Sequence, residues 1–289
     1  MSNLINILSL IKESLVREKP TVLDSLQTLY EIKEKHLSIS RYGDGEFLLM
    51  QGRSIAFQEA NPQLIESLKN IVRQDDILAN HVVGIPLVMS SYEGFTEESK
   101  YFWVNYLSRN RKKINQYLDF SCRYYDSQIS RFWINRVSEE YSQKLLDTWR
   151  QIWGNCKVLV VEGKSSRFGS GNDLFNGVKD IKRILCPEKN AYAYYGEIKQ
   201  IVSEKAREYD LVLLALGPTA TVLAYDLSRE GVWAIDSGNL DMEYEWFLKK
   251  TKQKVVIPGK YSHEVAGGTN VSPIADEKYS DQIIAIIGQ

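Results

Sequence analysis

The sequence predicts an α/β protein with a Rossmann-like, mostly parallel sheet flanked by helices, and three observations carry that prediction. Apolar runs of strand length alternate with amphipathic helical stretches between Lys157 and Trp246, the pattern of parallel strands joined by right-handed crossovers. Leu211 to Leu216 is an unbroken apolar run, as in a strand covered on both faces, and Gly217-Pro218-Thr219 stops it where a helix can begin. Glycine- and serine-rich segments follow these strands, and ligands of open α/β sheets bind beyond the carboxyl ends of the strands.

Composition agrees with one large α/β domain or two small ones. Of 289 residues 44% are apolar, ample for a buried core. A net charge of -1 and a pI near 6.4 exclude a dedicated nucleic-acid binder, which carries a strongly basic surface. No apolar run approaches a membrane span, so a soluble, cytoplasmic protein is expected. The cysteines Cys122, Cys156 and Cys186 match no zinc spacing and read as reduced, partly buried thiols. His36, His81 and His263 also lack ligand spacing.

In chain order, Leu4, Ile5, Leu8, Ile11 and Leu15 recur at helical spacing, and a second helix covers Leu23 to Lys35. Residues 1–36 are expected to pack on a core domain over 37–260. The wide apolar face of the first helix also suits a homo-oligomer contact. Leu37 to Ser40 alternates like a short strand and leads into Arg41-Tyr42-Gly43-Asp44-Gly45-Glu46. Two glycines around an aspartate favour a turn, in which Asp44 and Glu46 can face one point; on a helix they would point apart. An Asp-Gly turn with a charged neighbour explains the motif equally well, although Arg41 adds a guanidinium able to hold acids or bind phosphate.

Asn61-Pro62 is a cap followed by a first-turn proline, and Leu64, Leu68, Ile71 and Val72 give the helix after it one apolar face. Thr96 to Trp153 reads as helical and aromatic-rich, with Tyr101, Phe102, Trp103, Tyr106, Trp133, Trp149 and Trp153 the bulkiest residues. Aromatics at helical spacing favour core, while an exposed one would suit a sugar acceptor. Ser130-Arg131-Phe132-Trp133 puts a cation beside an aromatic pair in a chain bend.

From Lys157 to Val161 β-branched residues mark a strand, and Glu162 to Asp173 is a loop before a helix expected at Leu174. Gly169, Gly171, Asn172 and Asp173 let backbone approach a pyrophosphate, with Lys164 and Arg167 to neutralise it. The glycine spacing is neither that of a Walker loop nor G-x-G-x-x-G, so it lends no support to a nicotinamide or flavin role. Arg183 to Cys186 is a strand stopped by Pro187, and Glu197 to Tyr209 is an amphipathic helix.

The helix begun by Gly217, Pro218 and Thr219 would turn free N–H groups and its positive dipole end toward an anion. Gly231 closes it, and a strand from Val232 to Ile235 runs into the acidic segment Asp241-Met242-Glu243-Tyr244-Glu245. Val255 to Ile257 reads as a last strand, and Ile283 to Ile287 as a short helix or strand within a C-terminal extension, 261–289.

Arg41 to Glu46, Val161-Glu162-Gly163, Gly169 to Phe175, Arg183 to Pro187, Leu214 to Leu227 and Asp241 to Trp246, in that order, resemble the bacterial glycosyltransferases of the GT-D fold. The resemblance implies a GT-D-like glycosyltransferase domain over 37–260, with a helical segment over about 96–153 and a Rossmann-like part over about 157–258. It also implies transfer of a hexose from a UDP-sugar, typically UDP-glucose, to a glycan or glycoprotein acceptor in surface glycan synthesis. A D-x-E motif with Mn²⁺ or Mg²⁺ belongs to the same resemblance, and two such motifs occur here, Asp44-Gly45-Glu46 and Asp241-Met242-Glu243.

The metal is assigned to Asp241 and Glu243, which can reach one cation jointly only if helix starts after them. Were Asp241 itself helical, it would share a face with Glu245 while Glu243 pointed away. Where the family commonly has Gly-His, this chain has Gly238-Asn239. Asp44, Glu46 and Glu245 are the candidate catalytic carboxylates; Arg41, Gly43, Arg167, Gly169, Gly171, Asn172, Asp173, Gly217, Pro218 and Thr219 are the candidate donor-binding residues. Two other classes use similar loops: a nucleotide-sugar binding module without turnover, and a metal-dependent nucleotide hydrolase or phosphotransferase.

Overall fold

The computed structural model describes residues 13, 16, 18–271 and 276–288. The first-helix reading rests on Leu4, Ile5, Leu8, Ile11 and Leu15, which lie outside the described residues. The described strands are β1 (Thr21–Val22), β2 (Ser38–Arg41), β3 (His81–Ile85), β4 (Arg123–Asp126), β5 (Lys157–Gly163), β6 (Asp180–Cys186), β7 (Leu211–Ala215), β8 (Ala234–Asp236) and β9 (Ile283–Ile286). They form one nine-stranded sheet in the order β1-β4-β3-β2-β8-β7-β5-β6-β9. Every neighbouring pair is parallel.

Around it lie α1 (Ser25–Lys35), α2 (Asp44–Met50), α3 (Pro62–Arg73), α4 (Glu97–Ile114), α5 (Glu139–Trp153), α6 (Tyr195–Ala206), α7 (Pro218–Arg229), α8 (Leu240–Leu248) and α9 (Glu277–Ser280). Successive side chains of a strand point to opposite faces, and the cores divide accordingly. Val158 and Val160 of β5 pack with Leu29 of α1, Trp149 of α5 and Trp246 of α8. Leu159 and Val161 of the same strand pack with Ile198 of α6 and Leu223 of α7. A third cluster joins α2, α3 and α4 through Phe47, Leu68 and Trp103. No described helix is long and apolar enough to cross a membrane.

The chain leaves β2 toward β3 on one side, whereas it leaves β8 for β9 at the far edge. It likewise leaves β5 toward β6 but β7 toward β8. Connections that part in this way open crevices above the carboxyl ends of adjacent strands.

Three stretches differ from the sequence reading, and in a fourth one of two open alternatives is found. The stretch from 96 to 153 is not continuously helical: β4 lies between α4 and α5 and pairs with β3 and β1. Its Arg-Tyr-Tyr-Asp sequence carries no strand alternation, and strand neighbours set its conformation instead. No helix starts at Leu174. Asn172 Oδ1 accepts the Leu174 N–H at 3.0 Å, and the Asn172 amide and Asp173 carboxylate are committed to α8, so the segment stays in turns.

Val255 to Ile257 is not a strand; Val255 offers its carbonyl to Trp246 Nε1 at 2.9 Å rather than to a sheet neighbour. Ile283 to Ile286 is the strand β9 on the outer edge of β6.

Candidate active site

A cleft of about 1050 Å³ lies over the carboxyl ends of the strands, lined by the segments that follow β2, β3, β4, β5, β7 and β8. The exit of β2 is braced by Arg41. Its guanidinium donates to the Asp236 carbonyl, to Ser127 O at 2.6 Å, to Ser130 Oγ at 2.8 Å and to Asp236 Oδ1 at 3.1 Å. Three strand ends are thereby tied together, which commits Arg41 to positioning the cleft walls. The brace needs a glycine at 238, where φ is +50° and a Cβ would stand 1.8 Å from Arg41 Nη2.

Asp44 and Glu46 both line the cleft, although the expected open turn is the first turn of α2. Gly43 donates its N–H to Glu46 Oε2 at 2.7 Å, so the carboxylate caps its own helix. Burial, helped by Asp236 and Asp44, still pushes the Glu46 carboxyl up to about 7. Burial also raises Asp44, against the lowering effect of Arg131. Among the described residues Asp44 forms no direct ion pair. Two carboxyl groups raised by burial, Glu46 to about 7, thus line one cavity, an arrangement suited to general acid–base chemistry.

Opposite them, the bend after β4 delivers Arg131 into the cleft. Arg131 forks onto Glu264, with Nη1 2.9 Å from Oε2, and lies 3.6 Å from Glu243 Oε1. Glu264 also takes Lys254 at 2.7 Å and the Asn239 amide. Burial alone would raise the Glu264 carboxyl, but Arg131 and Lys254 together hold it well below the usual carboxylate range. Asn239 therefore joins the network that orients Arg131.

The second acidic motif has a different geometry. Helix α8 begins at Leu240, so Asp241 and Glu243 are both helical and project apart. Glu243 is fully buried, and its Oε2 accepts the Trp133 and Ile134 N–H groups, each at 2.9 Å. Asp241 turns to Lys260, with Nζ 2.8 and 2.7 Å from its two oxygens, and also accepts Gly169 N at 2.9 Å and the Asn172 amide at 3.2 Å. Glu245 shares Lys260 at 2.9 Å and Asn172 at 2.7 Å.

Asp241 and Glu245 thus share a face, while Glu243 serves another wall. Asp241 and Glu243 have no partner in common and do not fit joint coordination of one cation. Among the described residues no group of three or more His, Cys, Asp or Glu could hold a metal.

The loop after β5 touches the cleft through Ser166 and Phe168, and its remainder lies beside α8. Asp241 borders the cleft, but Arg167, Gly169, Gly171, Asn172, Asp173, Glu243 and Glu245 are not among its lining residues. Arg167 donates to Gly259 O at 3.0 Å, and Asp173 accepts from Tyr244 and, at 3.3 Å, from Arg150. Gly169 and Gly171 line a separate surface hollow beside β6 and α9.

Gly217 reaches the cleft at the start of α7, while Pro218 and Thr219 are buried behind it. Its φ is +54°, and a Cβ would meet Phe57 at 2.6 Å. Phe57 in turn packs against His263, ring centroids 4.1 Å apart. Phe57, Lys254, His263 and Glu264 are cleft residues that sequence reasoning missed, and Lys260 is the missed partner of Asp241. Each comes from an irregular segment without a motif, and only Arg131 had a local signal, in Ser130-Arg131-Phe132-Trp133.

Residues 39–265 match the sequence model of the family described as "Glycosyltransferase GT-D fold". The chain is 37% identical over 274 residues to the "Probable glycosyl transferase Gly" of Streptococcus gordonii, covering 93% of this chain and 39% of that protein. It is 34% identical over 282 residues to "Glycosyltransferase GlyD" of Streptococcus pneumoniae serotype 4 (strain ATCC BAA-334 / TIGR4), covering 93% of this chain and 33% of that protein. The chain thus spans well under half the length of these relatives.

Among solved structures, "A New Glycosyltransferase (DUF1792) from Streptococcus sanguinis" superposes with a TM-score of 0.88 at 36% identity, covering 93% of this chain and 100% of that one. Another, described as "The highly conserved domain of unknown function 1792 has a distinct glycosyltransferase fold", gives a TM-score of 0.86 at 34% identity over 98% of both chains.

Proposed function

The chain belongs to the GT-D fold glycosyltransferase family, and on that premise we propose that it moves a hexose from a UDP-sugar, UDP-glucose foremost, to a hydroxyl of a glycan or glycoprotein acceptor. The setting we assign is surface glycan synthesis from cytoplasmic UDP-sugars. The observation that carries the reading is Glu46, a cleft carboxylate pushed to about 7. A base of that strength accepts a hydroxyl proton at neutral pH without being permanently protonated.

In a single displacement the acceptor oxygen bonds to the anomeric carbon and the bond to the diphosphate breaks. Glu46 takes the acceptor's proton, and UDP leaves with the electron pair. The anomeric carbon becomes cation-like while negative charge grows on the departing phosphate. Arg131, Lys254 and the Gly217 start of α7 are the positive groups we assign to that phosphate, which faces them across the cleft. Arg41 holds the walls, and the fork of Glu264 aims Arg131. A Mn²⁺ or Mg²⁺ bound with the diphosphate would add Lewis-acid neutralisation of that charge. We assign it to Asp44, since Mg²⁺-type sites commonly use one or two carboxylates completed by substrate phosphates.

Incubation with UDP-glucose, UDP-galactose or UDP-N-acetylglucosamine, Mn²⁺ and a panel of methyl glycosides tests the reading by mass spectrometry. Formation of a disaccharide is the expected product. Nucleotide binding without turnover, or phosphate release without sugar transfer, would replace it with one of the other two classes.

A further inference from the structure

Helix α4 contributes Glu98, Ser99, Phe102 and Trp103 to the cleft, a spacing that sets them on one helical face. Trp103 is buried, but Phe102 leaves 48% of its surface exposed. A lone exposed phenylalanine has no functional meaning by itself. This one has two further properties. It borders the same cleft as Asp44 and Glu46, and it packs against two further aromatic rings.

Tyr106 stacks under Phe102 with an interplanar angle of 10°, and Trp103 meets it edge-on at 84°. The Tyr106 hydroxyl then donates to the Asp44 carbonyl at 3.1 Å, so the aromatic group is anchored to the first turn of α2, which carries the proposed base. Glu98 lies one turn before Phe102 on the helix, and Asn135 and Gln253 line the same cleft.

We propose that the exposed face of Phe102 is the acceptor subsite, where a pyranose ring of the acceptor stacks while Glu98, Asn135 and Gln253 take its hydroxyls. The pairing follows from the chemistry of both partners. A pyranose presents electropositive C–H bonds on its flat face, which match the negative face of an aromatic ring, and hydroxyls around its edge. A diphosphate has no such face and is repelled by Glu98. The groups assigned to phosphate, Arg131, Lys254 and Gly217, are other residues than this set, so one cleft has groups for both donor and acceptor. The subsite rests on the transferase reading.

Kinetics of Phe102→Ala test it with UDP-glucose as donor and methyl glycosides as acceptors. The expected result is an acceptor KM raised about tenfold, with UDP affinity and slow donor hydrolysis by water unchanged, and recovery in Phe102→Tyr. Glu98→Gln is expected to shift the order of preference among acceptors. An unchanged acceptor KM in Phe102→Ala overturns the subsite while leaving the transferase reading intact. A tenfold loss of UDP affinity also overturns it, by giving the ring to the nucleobase. Absence of transfer by the unaltered protein with every donor overturns the transferase reading and the subsite together.

Discussion

Lys260 places its ammonium 2.7 Å from Asp241 and 2.9 Å from Glu245, with the lysine side chain only 6% exposed. A cation is therefore already built into the acidic face of α8, joining it to the segment after Ile257. Removing one partner of such a buried group leaves the other charges uncompensated. Lys260→Met is expected to cost roughly 3–5 kcal/mol, read by urea denaturation, more than Asp241→Asn alone. A loss below about 1 kcal/mol would show that the three groups are solvated and independent.

Glu46→Gln keeps an oxygen to cap Gly43 but removes the base. Sugar transfer is expected to fall about 10²–10⁴-fold with UDP affinity retained. In the unaltered protein the rate is expected to rise with pH through about 7 as Glu46 loses its proton.

The same residue shapes stability. Its folded pKa, about 7, lies above the ordinary 4.5, so the folded state binds this proton more tightly than the unfolded state does. That contribution is fully present below about 4.5 and is lost as pH rises through about 7. Glu46→Gln is expected to be increasingly stable relative to the parent between these values; melting curves that stay parallel across the range would contradict it.

Glu264 works in the opposite sense. Its carboxyl is held low by Arg131 and Lys254, so its stabilisation is present above its unfolded pKa and is lost as pH falls through the folded one. Glu264→Gln is expected to destabilise the protein by roughly 2–4 kcal/mol at neutral pH, and the difference should shrink on acidification. A constant difference down to strong acid would contradict the ion pair.

Much of the fold was legible because apolar runs do not depend on their surroundings to be recognised. Leu211 to Leu216 and Val158 to Val161 could only be strands buried on both faces, and the Gly217 stop and the Asn61-Pro62 start are local chemistry. β4 was not legible, since its Arg-Tyr-Tyr-Asp sequence acquires strand geometry only between β3 and β1. The site divides in the same way. Asp44, Glu46 and Gly217 follow strand ends and announce themselves. Phe57, Lys254, His263 and Glu264 reach the cleft only through tertiary packing, and Arg41 was visible as a cation but not as the brace under Gly238.

Gly238→Ala tests that brace. The new methyl would overlap Arg41 in a backbone conformation that favours glycine, and a cost of about 1–3 kcal/mol is expected together with weakened UDP binding. Unchanged melting and unchanged UDP titration would show that Arg41 can relocate without consequence.

A nucleoside diphosphate is expected to lie across the carboxyl ends of the strands, between the Gly217 start of α7 and Arg131. A crystal structure of the protein soaked in UDP and Mn²⁺ measures this directly. The diphosphate is expected within hydrogen-bond reach of Arg131 and the α7 N-terminus, with Asp44 beside the cation. UDP bound instead in the hollow lined by Gly169 and Gly171, with the cleft empty, would contradict a donor site in the cleft.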